Sequence, residues 1–268
     1  MISKKDNDVV GYPWDMAGTA RRMWALDGAW LTMRRDGLVD GASPEPVRIP
    51  VPSFLVEHDD GLALIDSGFD PAAIDDPVGT YGEIGRQIEF SAGQRVDVQL
   101  EELGFATGDV THVVVSHVHF DHTGSLTLFP GARFLLGRGD APAVRGEDSP
   151  VTEISRQADL EPLRDAAWEY LDGDHDVFGD GALVVLALPG HTPGNTGTLV
   201  RLPGRTFLLT GDTAHLRGAL EHPRPMGADT DPEQAVASLH RVNALAAEYG
   251  AETWVVHDPD DWVRLRRL

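Results

Sequence analysis

Short apolar runs, bounded by glycine, proline and acidic residues, recur along this sequence. A run of apolar and β-branched residues without polar alternation is typical of a strand that is buried on both faces of a sheet. Such runs predict buried strands at 111–115, 132–136, 183–188, 206–210 and 252–256. In four of these five cases a histidine or aspartate follows within three residues, so polar side chains gather where strands end.

A hairpin is predicted before the first of these buried strands. Partial alternation over 47–57 meets the turn residues 59–61 and continues in the apolar run 62–66, which is the pattern of two antiparallel strands joined by a turn. Asp66 ends the second strand. Its carboxylate could hold a metal-bound histidine in place, or it could simply close a turn, and the residues alone favour neither interpretation.

Two helices are predicted from spacing and capping residues. Residues 96–103 have helical spacing and stop at Gly104, a residue suited to the end of a helix. A longer helix is predicted from Pro232 to Gly250, because Asp231 is a good N-cap and apolar residues then recur with helical period.

Three segments predict no clear element. In the first, 1–45, large apolar side chains are scattered without strand or helix periodicity. The second, 70–94, is loop-like, and the third, 138–170, is polar and helical in pieces. The large apolar side chains of the first segment are Trp14, Met16, Met23, Trp24, Trp30 and Met33. They either pack in the core or roof a pocket, and we interpret 1–45 as an extension or lid within a single domain spanning 1–268.

The densest chemistry lies just after the strand at 111–115. His117, His119, Asp121 and His122 fall within six positions, and imidazole and carboxylate are the ligands expected for zinc and similar ions. In an extended segment His117 and His119 point the same way, and Asp121 and His122 follow where a helix begins, so each pair can face a different ion. The alternative is a polar loop that carries these residues by chance, but clustered ionisable groups need a partner and a metal supplies one.

Three later residues complete a candidate ligand set. His191 follows one apolar strand in a loop rich in glycine and proline, Asp212 follows the next, and His257 follows the last. Seven ligands suffice for two ions. We assign His117, His119 and His191 to one ion, Asp121, His122 and His257 to the other, and Asp212 as a bridge between them. The remaining histidines His58, His112, His175 and His240 are interpreted as structural or solvated.

Composition narrows the possible partners. The formal charge of −21 repels phosphates and anionic lipids, which argues against nucleic acid and membrane surfaces. The absence of cysteine excludes a disulfide framework and a thiol nucleophile. No secretory signal and no run long enough to span a bilayer is visible. We therefore expect a cytoplasmic protein, a monomer or a homodimer, that acts on a small neutral molecule.

The motifs resemble those of the metallo-β-lactamase superfamily. The resemblance rests on His117-Val118-His119-Phe120-Asp121-His122, Gly190-His191-Thr192-Pro193-Gly194, Gly211-Asp212 and the late His257. It implies an α/β fold, an αββα sandwich of two facing mixed sheets with helices outside. Within the superfamily, the segments 49–58, 64–68 and 119–122 look like those of the N-acyl-homoserine lactonases, which use two metal ions to open a lactone ring.

The resemblance also implies a reaction. Hydroxide held between two divalent ions would attack the ester carbonyl; zinc is the expected ion, and iron, manganese or cobalt would suit the same ligands. Asp121 would carry a proton to the leaving alkoxide. Many such lactonases have a tyrosine three residues after the bridging aspartate, where this sequence has His215, which can also donate a hydrogen bond; His222 is a weaker candidate for the same role.

Several residues are expected to contact substrate. They are Phe120, Trp24, Met23, Phe69 and Tyr81. Two alternatives to a lactonase stay open: a related hydrolase of another small ester, lactone, thioester or organophosphate, and a metal-bound scaffold that only binds a ligand. A glyoxalase II type thioesterase is disfavoured because little chain follows His257.

Overall fold

Two mixed β-sheets face each other in the structure, a computed structural model that describes residues 18–267. The strands are β1 (Arg22–Leu26), β2 (Trp30–Arg34), β3 (Pro46–Pro50), β4 (Ser53–His58), β5 (Gly61–Ile65), β6 (Ile88–Glu89), β7 (His112–Val115), β8 (Arg133–Gly137), β9 (Ala167–Leu171), β10 (His175–Asp176), β11 (Leu183–Ala187), β12 (Thr196–Leu202), β13 (Arg205–Leu209) and β14 (Glu252–Trp254). The helices are α1 (Arg35–Leu38), α2 (Pro77–Tyr81), α3 (Val96–Glu102), α4 (Phe120–Thr123), α5 (Ala141–Arg145), α6 (Pro150–Ile154), α7 (Gln157–Leu160), α8 (Gly218–Glu221), α9 (Pro232–Tyr249) and α10 (Pro259–Leu265). Short 3-10 turns lie at Pro71–Ile74, Gly82–Gln87, Ala92–Gln94, Thr107–Asp109, Leu126–Leu128, Arg138–Asp140, Glu161–Leu163 and Gly211–Thr213.

The strand order defines two large sheets and a small one. The six-stranded sheet runs β1-β4-β5-β7-β8-β9, antiparallel as far as β5 and parallel beyond it. The five-stranded sheet runs β10-β11-β12-β13-β14 and is antiparallel except for the last pair. A third, antiparallel sheet has the order β3-β2-β6.

Alternation along the strands shows how these layers pack. On β4, Phe54 and Val56 join the buried cluster between the two large sheets, where Phe54 meets Trp254 edge to face at 4.9 Å between ring centroids. Leu55 points the other way and packs with Leu100 of α3 in the cluster beneath the helices. Helix α9 covers the outer face of the second sheet in the same manner. The predicted αββα sandwich is therefore confirmed.

Parallel pairing brings the polar strand ends together. β5 pairs in parallel with β7, and β13 pairs in parallel with β14. Because parallel strands end at the same edge of a sheet, Asp66 lies beside the start of the 116–122 segment, and Asp212 lies beside His257. The topology thus explains why residues far apart in sequence meet at one edge.

Several predicted elements are confirmed. The hairpin is formed by β4 and β5 around the turn at 59–60, but the predicted first half, 47–57, is divided at 51–52 into β3 and β4, which belong to different sheets. Helix α9 begins after Asp231, whose side chain accepts the N–H groups of Glu233 and Gln234 at 3.1 and 3.0 Å, and it ends at Gly250 with a left-handed φ of 58°. Both ends follow the capping rules that predicted them.

Other predictions are wrong. β1 and β2 lie in 1–45, where no element was predicted, and both belong to sheets; Trp14 and Met16 are outside the described residues. The loop-like 70–94 contains α2 and β6, and the 138–170 segment runs into β9. β12 was not predicted because Gly197 interrupts its pattern, yet a Cβ at Gly197 would lie 2.8 Å from the carbonyl oxygen of Leu209. Close strand packing, rather than a turn, requires that glycine.

The helices described between residues 18 and 267 do not include one with the length and apolarity needed to cross a membrane.

Candidate metal centre

Three imidazole nitrogens converge on one point at the sheet edge. His117 leaves β7, His119 precedes α4 and His191 lies in the loop after β11. Nε2 of His117 and Nε2 of His191 each lie 2.9 Å from Nδ1 of His119. Nitrogens bound to one tetrahedral zinc at 2.0–2.1 Å would be about 3.3 Å apart, so a small relaxation around an ion would satisfy all three.

A second group faces the first. Nε2 of His122 lies 3.4 Å from Nε2 of His257, and Oδ2 of Asp121 lies 3.6 and 3.9 Å from these two nitrogens. Helix α4 positions Asp121 and His122; it begins at Phe120 and ends at Thr123, so the expected helix lies slightly earlier than the sequence indicated.

The carboxylate of Asp212 lies between the two groups. Its Oδ2 is 3.6 and 3.4 Å from Nε2 of His117 and His191, and its Oδ1 is 3.3 and 3.0 Å from Nε2 of His122 and His257. Oδ1 is buried and has no hydrogen-bond partner among the described residues. A buried carboxylate oxygen without a donor is costly, and a cation shared with the neighbouring imidazoles removes that cost. The residues present therefore fit a metal centre.

The two groups differ electrostatically. Burial and the neighbouring imidazoles lower the pKa of His117 well below its usual value and that of His119 to about 3, so both are neutral and ready to bind a cation. Burial would also lower the pKa of His122 and His257, but Asp212 and Asp121 raise both. The raised pKa values favour protons on this second pair beside the carboxylates, and a bound ion would replace those protons.

Each ligand ring except that of His119 has a partner behind it. Nδ1 of His122 lies 2.9 Å from Asp66, and Nδ1 of His191 lies 3.1 Å from Asp229. Nδ1 of His257 donates to the carbonyl oxygen of Pro50 at 2.7 Å, and Nδ1 of His117 lies 3.1 Å from the hydroxyl of Ser116. Such partners fix the tautomer and aim Nε2 at the metal. Sequence reasoning found Asp66 but not Asp229 or Pro50, which lie in segments without a motif.

The comparisons with known proteins agree with this geometry. The model of the metallo-beta-lactamase superfamily matches residues 47–249, which include most of the ligand residues. The chain belongs to the metallo-beta-lactamase superfamily. N-acyl homoserine lactonase AttM of Rhizobium radiobacter is 33% identical over 228 residues, covering 82% of this chain and 86% of that protein. The N-acyl homoserine lactonase of Bacillus cereus is 24% identical over 216 residues, covering 79% and 82%.

Solved structures share the fold. An N-acyl homoserine lactone hydrolase with the product N-hexanoyl-L-homoserine at its catalytic metal centre superposes with a TM-score of 0.82 at 22% identity, covering 93% of this chain and 98% of the other. The superfamily match and the 33% identity to AttM show in addition that the chain is a metal-dependent hydrolase of the metallo-beta-lactamase fold, and its His and Asp groups are suited to divalent ions.

A cavity of ≈ 340 Å³ opens over this metallo-beta-lactamase centre. Its floor is polar and includes His119, Asp121, Asp212, His215 and His257. The walls are apolar; they are formed by Leu31, Met33, Leu38, Ile49, Phe120, Ile154, Met226 and Ala228. A polar floor with apolar walls suits a ligand that has one reactive polar end and one apolar end.

The predicted substrate contacts are only partly in this cavity. Phe120 lies on its wall, whereas Phe69 and Tyr81 pack behind Phe120, with ring centroids 5.7 and 5.3 Å from it. Met23 is buried between the two sheets, and Trp24 packs on the outer cluster beside Phe105. The prediction for Met23 and Trp24 is therefore wrong, because both belong to a sheet strand whose faces are already covered.

His215 lies at the rim of the ligand set. Its Nε2 is 2.9 Å from Oδ2 of Asp212, and its ring stacks on that of His257 with 5.3 Å between centroids. Burial lowers the pKa of His215, so the ring is neutral at pH 7 and carries a single N–H. His222, the weaker candidate, is exposed and is not among the described residues that line the cavity.

Proposed function

We propose that this protein is a two-ion hydrolase that opens the lactone ring of N-acyl homoserine lactones by attack of hydroxide on the ester carbonyl. The observation that carries the proposal is Asp212, whose two oxygens face two separate ligand groups. One tetrahedral site needs four ligands, and the seven residues here supply two. The 33% identity to AttM over most of both chains supports the lactone as substrate.

Two bound zinc ions, or iron, manganese or cobalt in their place, would polarise the carbonyl and lower the pKa of bound water to about 7. The protein must then position the substrate, exclude competing water and move one proton.

Asp121 is suited to move the proton. Its carboxylate borders both the cavity and the second ligand group. Ring opening leaves an alkoxide that needs a proton, and the attacking water must lose one. A carboxylate beside both positions can accept the first proton and donate it to the leaving oxygen.

His215 is suited to bind the substrate carbonyl. The neutral ring directs Nε2–H at Oδ2 of Asp212 in this structure. When Asp212 is engaged with cations, its oxygen accepts this hydrogen bond less well, and the N–H can donate to a carbonyl oxygen in the cavity instead. The resemblance to the lactonases implies this role for a tyrosine at the same position.

The apolar walls are suited to the acyl chain. Met33 and Ile49 on strands β2 and β3, with Met226 opposite, present side chains without charge to the space above the ligands. A neutral substrate also suits a protein of charge −21, since an anionic ligand would be repelled.

The proposal is tested by assaying the purified, metal-loaded protein on a panel of N-acyl homoserine lactones, aryl esters and phosphotriesters. Ring opening releases a proton, so a weakly buffered indicator records it. We expect the lactones to have the highest kcat/KM and Asp212→Asn to lose metal together with activity. Inert lactones of all chain lengths, with rapid turnover of a phosphotriester or aryl ester, would make the protein a different hydrolase of the same fold.

A further inference from the structure

Two hydrogen-bonded groups lie behind the metal centre, one behind each half, and each contains a buried carboxylate. The first is Asp140, which is fully buried in the 3-10 turn after β8. Its Oδ2 accepts hydrogen bonds from Val118 N–H at 3.2 Å and from the hydroxyl of Thr192 at 2.8 Å, and its Oδ1 accepts Gly194 N–H at 2.7 Å. We call Asp140 with these three partners the first clamp.

The first clamp joins the two loops that carry one ligand group. Val118 stands between His117 and His119, and Thr192 follows His191. The backbones also meet closely here, since a Cβ at Gly139 would lie 2.4 Å from the carbonyl carbon of Pro193. One carboxylate therefore sets the distance between the three converging imidazoles.

The second clamp is built on Arg217, two residues after His215. Its backbone N–H donates to Asp258 at 2.8 Å, its Nε donates to Asp261 at 2.8 Å, and its Nη2 donates to the carbonyl oxygen of Thr253 at 2.8 Å and also to Asp261. Asp261 is itself buried and accepts Val255 N–H at 2.9 Å.

This arrangement joins the segment of Asp212 to the segment of His257. Thr253 and Val255 precede His257 on and after β14, and Asp258 follows it. The guanidinium thus holds the chain on both sides of His257. Arg217 itself lies five residues after Asp212, the residue proposed to bridge the two halves. Within residues 18–267, the hydrogen bonds that Arg217 donates go to Thr253, Asp258 and Asp261 and not to the loops that the first clamp joins.

We infer that the two clamps are positioning groups that control the two metal sites separately. Asp140 would set the affinity of the half formed by His117, His119 and His191, and Arg217 would set the affinity of the half that contains His257. The inference rests on the proposed two-ion centre. Ligand nitrogens must be held within a fraction of an ångström to bind an ion well, and losing a group that holds a ligand typically costs 10- to 100-fold in metal affinity.

The test compares Asp140→Asn with Arg217→Met in the full-length protein. The asparagine replaces one acceptor oxygen by an NH2 group that opposes a donor, and the methionine keeps an apolar stem without the guanidinium. Crystals of each variant, grown at limiting zinc, are measured for anomalous scattering at the zinc edge to give the occupancy of each half. Competition with a chelator in solution gives the dissociation constants.

We expect Asp140→Asn to weaken zinc binding about 10- to 100-fold in the first half, with the second half unchanged, and Arg217→Met to give the reverse. Arg241→Met is the matched control: Arg241 lies on α9, its side chain is 33% exposed against 35% for Arg217, and it pairs with the buried carboxylate of Asp174 and donates to the carbonyl oxygen of Ala187 at the end of β11. It should lower the melting temperature while both halves keep their zinc.

If the first pair of variants does not fold, the milder variants Thr192→Val and Arg217→Lys replace them, because each removes only part of a clamp. They should show the same selectivity between the two halves with smaller changes in zinc affinity. Equal loss from both halves, or wild-type affinity in both variants, overturns the inference. A wild-type protein that binds a single zinc when saturated instead overturns the proposed two-ion centre, so the two failures are distinguishable.

Discussion

The replacement Asp66→Asn tests how a residue behind the ligands controls metal binding. Asp66 follows β5 with φ at +57°, the left-handed region that asparagine, aspartate and glycine tolerate better than other residues. Its Oδ1 accepts Ser116 N–H at 2.8 Å, and its Oδ2 lies 2.9 Å from Nδ1 of His122. The carboxylate therefore keeps the proton of His122 on Nδ1 and leaves Nε2 free for the ion.

Asparagine fits the same backbone but reverses this hydrogen bond. Its oxygen can still accept Ser116 N–H, so its NH2 group must face His122 and donate to Nδ1. The proton of His122 then moves to Nε2, where it blocks the metal. We expect the affinity for the ion at His122 to fall about 10- to 100-fold, which is about 1.4–2.7 kcal/mol.

Further variants separate this effect from backbone strain. Asp66→Ala removes the same acceptor but also places a Cβ without a polar partner in the left-handed region, at a cost of about 1–2 kcal/mol. Asp66→Gly removes the acceptor without that strain. Chelator competition measures metal affinity, and thermal unfolding in excess chelator measures the metal-free fold. If Asp66→Asn binds both ions as tightly as the wild type, the carboxylate does not set the tautomer.

Four further predictions concern metal removal, catalysis, pH and helix capping. A chelator should lower the melting temperature by about 5–10 °C for each ion held at 100 times its Kd, since that binding is worth about 2.7 kcal/mol and a domain of this size shifts about 2–4 °C per kcal/mol; an unchanged melting temperature would contradict a metal bound only by the folded state. His215→Ala should lower kcat about 10- to 100-fold with metal content intact, and His215→Tyr should recover part of it; metal loss in the alanine variant would make His215 a ligand instead. Burial raises the pKa of Asp159 to about 6, so the folded state disfavours its carboxylate. As pH rises from 4 to 7, the free energy of unfolding of the wild type should therefore fall by up to about 3 kcal/mol relative to that of Asp159→Asn. A difference in unfolding free energy that is flat across this range would refute the shift. Asp231→Ala removes the cap of α9 and should lower the free energy of unfolding by about 0.5–2 kcal/mol with little effect on kcat. Asp231→Ser, which keeps a capping oxygen, should retain most of the wild-type stability.

The ligand residues could be predicted because their pattern is local. An apolar strand followed at once by histidine or aspartate needs no knowledge of the neighbours, and all seven candidate ligands lie together in the structure. The resemblance to the superfamily implied the fold class, and the predicted strands are compatible with it. The bridging role of Asp212 was predicted by counting ligands, and the structure adds the distances from its two oxygens to the two groups of imidazoles, which favour that role.

The remaining features depend on pairing that a sequence pattern does not contain. Met23 and Trp24 both look suited to a pocket, but the register of β1 on β4 sets Met23 opposite Val56 and Trp24 opposite Leu55. Met23 is buried between the two sheets, and Trp24 packs, half-buried, against the cluster on the other face. Asp140 lies more than 50 residues from Thr192, its hydrogen-bond partner. Nothing in its local sequence marks it as different from an exposed turn residue.

Strand β3 has a consequence for how substrate preference could change. Ile49 forms part of the cavity wall, and the carbonyl oxygen of the next residue, Pro50, accepts the hydrogen bond from His257. A replacement at Ile49 that reshapes the wall also shifts the acceptor that orients a metal ligand. Replacements in β3 that are selected for a substrate with a different acyl chain would therefore also weaken metal binding. Met33 lines the same wall, and its side chain makes no hydrogen bond to a candidate ligand among the described residues. A mutant library would therefore gain new specificity there at less risk to metal binding.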